Sequence, residues 1–282
     1  VRISVIIPAF NEEAGIAAAV NALTEDADLE IVVAANGCTD RTAEVARACG
    51  ARVVEVAAAS KTAALNAADA VATGDVRIYL DADVPARPAL LRDLAAAVAE
   101  PGIEAAVPRP AVDTSGSTWP VRAFYAINSR LPVFRGRLFG RGVIAVSTRA
   151  RSRFAGFPDL TADDMFLDAV VAPGEKAEIG VPVRVVAPRT LDELVRRVAR
   201  ARDGNAEFQR FRQSAPAGVA LVAPEPDATS WLRDVVLRRP WLGPAAVVYV
   251  AVVLLAERRR RSASWDVRSG WGRIPAQRSP RD

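Results

Sequence analysis

Short apolar runs alternate with amphipathic stretches through the first hundred residues. Arg2, Ile3, Ser4, Val5, Ile6 and Ile7 read as a strand, with Pro8 as its stop. Ile16, Val20 and Leu23 then recur at helical spacing behind Glu12 and Glu13. The alternation continues, predicting strands over 30–34, 52–56 and 76–80 and helices over 39–49, 61–72 and 88–99. Short apolar strands separated by helices imply a parallel sheet covered on both faces. Ligands of such sheets bind outside the carboxyl ends of the strands. Three polar groups fall at those ends: Asn11 with Glu12, Asn36 with Thr39 and Asp40, and Asp81 with Asp83.

After Pro101 and Gly102 the pattern loosens. Strands are predicted over 104–108, 143–146 and 183–186, helices over 119–130, 163–170 and 191–212, and a turn-rich connection over 110–118. Trp119 and Phe124 are expected in the core. The stretch holding Arg135, Arg137 and Arg141 is basic and glycine-rich; it suits either a mobile loop or an acceptor's negative charge. Residues 241–256 carry no charge and would span about 24 Å as a helix, short of the roughly 30 Å hydrocarbon core. Arginines flank the run on both sides, at 238–239 and 258–261. A buried helix explains it; so does a helix at a membrane, and the arginines, suited to anionic headgroups, favour the second. Trp265 and Trp271 in the polar tail read as interfacial or docking residues.

Composition narrows the chemistry. The 282 residues contain no histidine, which removes imidazole bases, His-based triads and His-ligated zinc. Two cysteines, Cys38 and Cys49, are too few for a cysteine-rich zinc site or a disulfide scaffold. A general base must then be a carboxylate, and a metal should be a hard cation such as Mg²⁺ or Mn²⁺. Net charge is only +4, with arginines crowded into 189–212 and 233–261. That clustering suggests anion sites or a membrane-facing edge, not a nucleic-acid coat. No charged leader precedes the first strand, and two thiols suit a reducing compartment, so the expected location is cytoplasmic, at the inner face of the plasma membrane.

Asp81 and Asp83, two apart just past an apolar strand, have no packing role. Their mutual repulsion is relieved by a divalent cation, which would also stabilise a diphosphate leaving group. A helix N-cap is the plainer explanation of Asp83. The four groups Ser4–Glu13, Asn36–Thr42, Lys61 with Ala64, Leu65 and Asn66, and Asp81–Asp83 resemble the motifs of family 2 glycosyltransferases in order and spacing. The resemblance covers about the first third of the chain. It implies an α/β GT-A fold: a Rossmann-like, mostly parallel sheet flanked by helices, here with a C-terminal helical and apolar extension. It also implies a nucleotide-diphosphate-sugar donor, UDP- or GDP-linked, a Mg²⁺ or Mn²⁺ cofactor, and inversion at the anomeric carbon. By matching position, Pro8, Ala9, Phe10 and Glu12 would line the nucleoside pocket. Asp81 would approach ribose or metal, Asp83 would ligate the metal, and Lys61 would lie near the donor. A solvated lysine at a helix start explains Lys61 as well, and Asn66 is equally an internal hydrogen-bonding residue.

The sequence departs from the family in its second motif, where Ala35 and Asn36 stand in place of an acidic pair. An amide both donates and accepts, so Asn36 can still read a base edge, but the nucleoside is left open. Cys38 is expected to be a small packing residue. Asp163 and Asp164 resemble the acidic pair of the family's acceptor half. Asp164 is then the catalytic base and Asp163 its neighbour, although Thr161 with Asp164 also reads as a capping box. Of Arg196, Arg197, Arg200 and Arg202, at most two can face one site, and Arg197 and Arg200 are assigned to the donor diphosphate. The expected organisation is a donor half, 1–100, an acceptor half, 101–213, and an extension, 214–282, with the apolar helix at 241–256. The acceptor is expected to be a glycan, a polyprenyl phosphate or a small molecule. A nucleotidyltransferase acting on sugar phosphates fits less well, because Pro8–Glu13 lacks a glycine-rich basic loop. A non-catalytic sugar-nucleotide-binding module is the third reading.

Overall fold

The computed structural model describes residues 1–215, 221–222 and 229–262. Trp265 and Trp271 lie outside them. The chain begins β1 (Ile3–Ala9), α1 (Ile16–Thr24), β2 (Leu29–Asn36), α2 (Thr42–Ala48), β3 (Arg52–Val56), α3 (Lys61–Val71), β4 (Val76–Leu80) and α4 (Pro88–Ala99). It continues β5 (Ala105–Asp113), α5 (Trp119–Asn128), β6 (Val143–Ser147), α6 (Thr148–Arg151), α7 (Asp163–Val170), β7 (Lys176–Val186), α8 (Leu191–Ser214) and α9 (Gly243–Arg260).

One seven-stranded sheet, in the order β3-β2-β1-β4-β6-β5-β7, runs through both halves. β6 alone is antiparallel to its neighbours β4 and β5. Both faces of the central strands are buried, which is why they read as unbroken apolar runs. Val5 and Ile7 pack on one face with Ile16, Val20, Leu91 and Leu94 from α1 and α4. Ile6 and Tyr79 pack on the other with Leu65 of α3 and Phe166 and Leu167 of α7. The chain winds from β1 outward to β2 and β3, then returns to place β4 on β1's other side. Such a reversal opens a crevice at the carboxyl ends of the two strands, here β1 and β4.

Several boundaries differ from the sequence reading. β1 runs through Pro8 to Ala9, because Pro8 sits past the last β1–β4 pair, Ile6↔Tyr79, where a missing N–H costs no ladder bond on that side. β5 extends across Pro108 and Pro110, with a bulge at Pro108/Arg109 against the edge strand β7, which itself begins at Lys176. Partial exposure of the later β5 residues and of most of β7 leaves only the predicted stretches 104–108 and 183–186 legible as strand. Trp119 is not a core residue. α5 buries the stripe Val121, Phe124 and Ile127, and Trp119 falls off that stripe at 71% exposure.

α9 packs one face on α5 and α8, burying Ala246, Val252 and Ala256 and stacking Tyr249 on Phe124 at 5.2 Å. Arg259 and Arg260 pair with Asp192 and Asp203 of α8, each at 2.6 Å. The opposite face is apolar and exposed at Val247, Leu254 and Leu255, with Trp241 and Leu237 just before it. The run is therefore apolar on two sides. By length and composition 240–260 is also long enough to cross a membrane.

Candidate active site

A cleft of about 880 Å³ opens at the carboxyl ends of β1 and β4 and reaches α5, α8 and α9. Pro8, Phe10 and Glu12 border it at the end of β1. Their loop is held by the loop that follows β2. Asn11, in the left-handed region at φ 52°, accepts the Thr39 N–H on its Oδ1 at 2.8 Å. The Glu12 N–H donates to Thr42 Oγ1 at 2.8 Å and the Glu13 N–H to Asp40 Oδ2 at 3.1 Å, while Arg41 pairs with Glu13. The second motif is thus a buttress behind the first.

That arrangement corrects two expectations. Asn36 is fully buried, and its Nδ2 donates to the Ala9 carbonyl at 2.9 Å, so its amide ties the ends of β1 and β2 together instead of reaching a base edge. Its Oδ1 is buried without a hydrogen-bond partner among the described residues. Ala9 is 1% exposed and presents no side chain to the cleft, because it closes β1 inside the sheet. Cys38 Sγ lies 3.4 Å from the same Ala9 carbonyl.

Past β4, the Asp81 N–H donates to the Gly142 carbonyl at 2.8 Å and the Val84 N–H returns to the Asp81 carbonyl at 3.0 Å. This tight turn brings Asp81, and Asp83 at its exposed tip, to the cleft. Lys61, the first residue of α3 after its Ser60 cap, reaches across with Nζ 2.8 Å from Asp81 Oδ1 and 3.0 Å from Asp163 Oδ2. It is not a solvated lysine, and it joins the turn after β4 to the start of α7. Asn66 is an internal clamp, exchanging two hydrogen bonds with the Phe157 backbone at 2.9 and 2.7 Å.

Asp163 and Asp164 open α7. No capping box forms there: the N-cap is Ala162, and the Thr161 N–H goes to Glu207 Oε2 at 2.8 Å. Asp164 Oδ2 accepts the Gly140 N–H at 2.9 Å and its Oδ1 accepts the Met165 N–H at 2.8 Å. Burial pushes the Asp163 carboxyl up to about 6, against the pull of Lys61. The same burial raises Asp164, with Lys61 and the two backbone N–H groups opposing it. Burial alone would lower the Lys61 ammonium, but Asp163 and Asp81 together hold it above the ordinary lysine range.

The arginines divide. Arg196 pairs with Asp192 and Arg202 with Glu257. Arg197 and Arg200 border the cleft without a carboxylate partner among the described residues; Arg197 donates to the Val186 carbonyl at 3.1 Å. Burial lowers the Arg200 guanidinium, and Arg197 adds to the effect. Of the three loop arginines, Arg137 pairs with Asp168 and Arg141 with Glu178, so both are already engaged, while Arg135 is exposed. The loop is therefore tied to α7 and β7 through two of its arginines.

Sequence reasoning missed Gly140 and Gly142, although the glycine spacing around Arg141 was the available signal. At Gly142, φ +69°, a Cβ would collide with Val84 and lie 3.3 Å from Asp81 Oδ2. Among the described residues no three acidic, histidine or cysteine side chains form a metal cage. Asp81 and Asp83 nonetheless fit Mg²⁺ or Mn²⁺, which typically bind one or two carboxylates and complete their shell with substrate phosphate oxygens and water.

A sequence model described as Glycosyl transferase family 2 matches residues 4–152. No curated protein matches the chain. Among solved structures, glucosyl-3-phosphoglycerate synthase from Mycobacterium tuberculosis is 25% identical, with a TM-score of 0.51 over 68% of this chain and 74% of that one. That synthase has been crystallised with Mn²⁺, UDP-glucose and phosphoglyceric acid. The mannosyltransferase PcManGT from Pyrobaculum calidifontis, in complex with GDP-Man and Mn²⁺, is 23% identical, with a TM-score of 0.59 over 90% of this chain and 75% of that one; it shares the fold.

Proposed function

Because the chain belongs to glycosyl transferase family 2, we propose that it transfers a glycosyl group, with inversion, from a nucleotide-diphosphate sugar to an acceptor hydroxyl in this cleft. The observation that carries the reading is the Lys61 bridge, which sets the Asp81 turn and the Asp163–Asp164 pair on facing walls of one space. Pro8, Phe10 and Glu12 form the nucleoside wall. Asp83 and Asp81 would hold Mg²⁺ or Mn²⁺, whose charge, when bound, stabilises the departing diphosphate. Arg197 and Arg200 offer guanidinium forks to the diphosphate oxygens.

Asp164 takes the acceptor's proton. The hydroxyl oxygen bonds to the anomeric carbon as the bond from that carbon to the diphosphate oxygen breaks, and the proton passes to the carboxylate. Its raised pKa suits a base that must hold that proton. Lys61 keeps Asp163 and Asp81 oriented beside the reacting groups. The synthase bound to Mn²⁺ and UDP-glucose supports the donor class and the ion. With Asn36 withdrawn from the cleft, the choice between uridine and guanosine falls to Phe10, Glu12 and backbone groups.

The acceptor candidates are a glycan or a small molecule, each offering a hydroxyl, and a polyprenyl phosphate, whose phosphate oxygen is already ionised so that Asp164 would orient it without taking a proton. The exposed apolar face of α9, between arginines, supports an acceptor met at an anionic membrane surface on the cytoplasmic side. Since the other face of α9 is packed on α5 and α8, the helix would lie on the bilayer and not span it. The test is a panel of UDP- and GDP-sugars with Mn²⁺, offered soluble acceptors or anionic vesicles carrying polyprenyl phosphate. Nucleoside diphosphate release that depends on donor and acceptor is expected. Release of pyrophosphate instead, or none from any pairing, would sink the reading. Failure to sediment with the vesicles would remove the membrane from it.

A further inference from the structure

Asp168 lies one turn beyond Asp164 on α7 and is 2% exposed. Its Oδ1 accepts the Leu138 N–H at 2.9 Å and the Lys176 ammonium at 2.8 Å, and its Oδ2 accepts from Arg137 at 3.3 Å. The Lys176 side chain is also only 2% exposed. A buried ion pair is by itself weak evidence of function, since an apolar pair of similar volume often stabilises as well. The loop it grips gives this one a consequence. Two carboxylates about 6 Å apart along one helix take alternate N–H groups of one loop: Asp168 takes that of Leu138 and Asp164 that of Gly140. Two residues further on, the Gly142 carbonyl accepts the Asp81 N–H. β7 fastens the far end of the same loop, where Glu178 holds Arg141 at 3.0 Å.

We propose that Asp168 is a positioning residue for Asp164: by fixing Leu138 it sets the loop so that the Gly140 N–H meets Asp164. This rests on Asp164 as the base of the proposed transfer. Asp168 touches neither substrate nor reacting atom. Its effect passes through two backbone groups, so what matters is an acceptor oxygen at position 168 and not the charge.

Two double variants separate these roles. D168N/K176M removes both charges but keeps an oxygen for Leu138, whereas D168A/K176M removes the oxygen too. Amide hydrogen exchange reads the coupling without any substrate. The Leu138 and Gly140 amides should stay protected in wild type and in D168N/K176M, and both should lose protection in D168A/K176M, although Asp164 is present throughout. In transfer assays D168A/K176M should lose about tenfold or more in kcat, with donor KM and nucleoside diphosphate affinity in Mn²⁺ close to wild type. D168N/K176M should recover most of the rate. If D168A/K176M does not fold, D168V/K176M fills the same space without an acceptor. Retained protection at Gly140, an equal loss of kcat in both variants, or a matching loss of donor affinity would each overturn the proposal. A wild-type protein with no transfer activity would count against the transferase reading, while the exchange result still decides the coupling.

Discussion

On the donor wall, Phe10, Glu12, Asp81 and Asp83 all follow within three residues of a strand end, so the sheet itself aims them. On the acceptor wall, Asp163 and Asp164 open a helix without a side-chain cap and depend on partners from far along the chain: Lys61, Gly140 and, through Leu138, Asp168. The first wall is set by strand ends that neighbouring loops brace through backbone hydrogen bonds, and the second by buried charge and borrowed N–H groups. Damage should therefore stay local on one wall and travel on the other.

The largest expected effect compares the two walls directly. Asp164→Asn keeps the shape and removes the base, and should lower kcat by about 10² to 10⁴ with little change in donor affinity. Asp83→Ala should instead weaken nucleoside diphosphate binding in Mn²⁺ and leave metal-free binding alone. Calorimetric titration of both variants, beside initial rates, checks the pair. Loss of donor affinity in Asp164→Asn equal to that in Asp83→Ala would merge the two walls into one unit.

A smaller effect should cross between them. Gly142 belongs to the acceptor-side loop, has positive φ and accepts the Asp81 N–H of the donor-side turn, and a Cβ placed on it would meet Val84 and Asp81. Gly142→Ala should cost about 1–3 kcal/mol of stability from strain and overpacking, read by denaturant unfolding, and should also weaken donor binding. Gly136→Ala, likewise at positive φ but with open space around its Cβ position, is the control for strain alone. Equal losses of donor affinity in the two variants would show that the contact with the Asp81 turn has no effect of its own.

The contrast also decides what could be read from the chain. The donor wall was legible because its residues sit next to strands that announce themselves by apolar runs, and Lys61 follows a helix cap. Even there the second motif misled: Asn36 stands in the right place along the chain, but its amide turns inward to Ala9. On the acceptor wall Asp163 and Asp164 were legible as a pair, yet nothing local shows that Gly140 binds Asp164 or that Asp168 and Lys176 share a buried pair. Those partners become neighbours only when β5, β6 and β7 assemble. β5 and β7 are shorter in the sequence reading because prolines interrupt them and the later residues of β5 and most of β7 lie at least partly in solvent.

The smallest expected effect concerns pH. The Asp163 carboxyl is pushed up to about 6 by burial, whereas an unfolded aspartate titrates near 4. Between about pH 4 and 6 the folded chain then binds more protons at this position than the unfolded chain, so stability from this group falls as pH rises through that window and is flat above it. Asp164, raised by the same burial, has the same sign. Carboxylates held low by hydrogen bonds act oppositely but lower down; Asp113, brought to about 2 by Ser115 first and then by Arg184, adds stability as pH rises from about 2 to 4. Melting temperature followed from pH 4 to 7 should therefore decline by on the order of a few degrees in wild type and decline less in Asp163→Asn, whose amide does not titrate. Parallel curves for the two proteins would mean that Lys61 already holds Asp163 fully charged across the window, and that charge pairing, not burial, governs the acceptor wall.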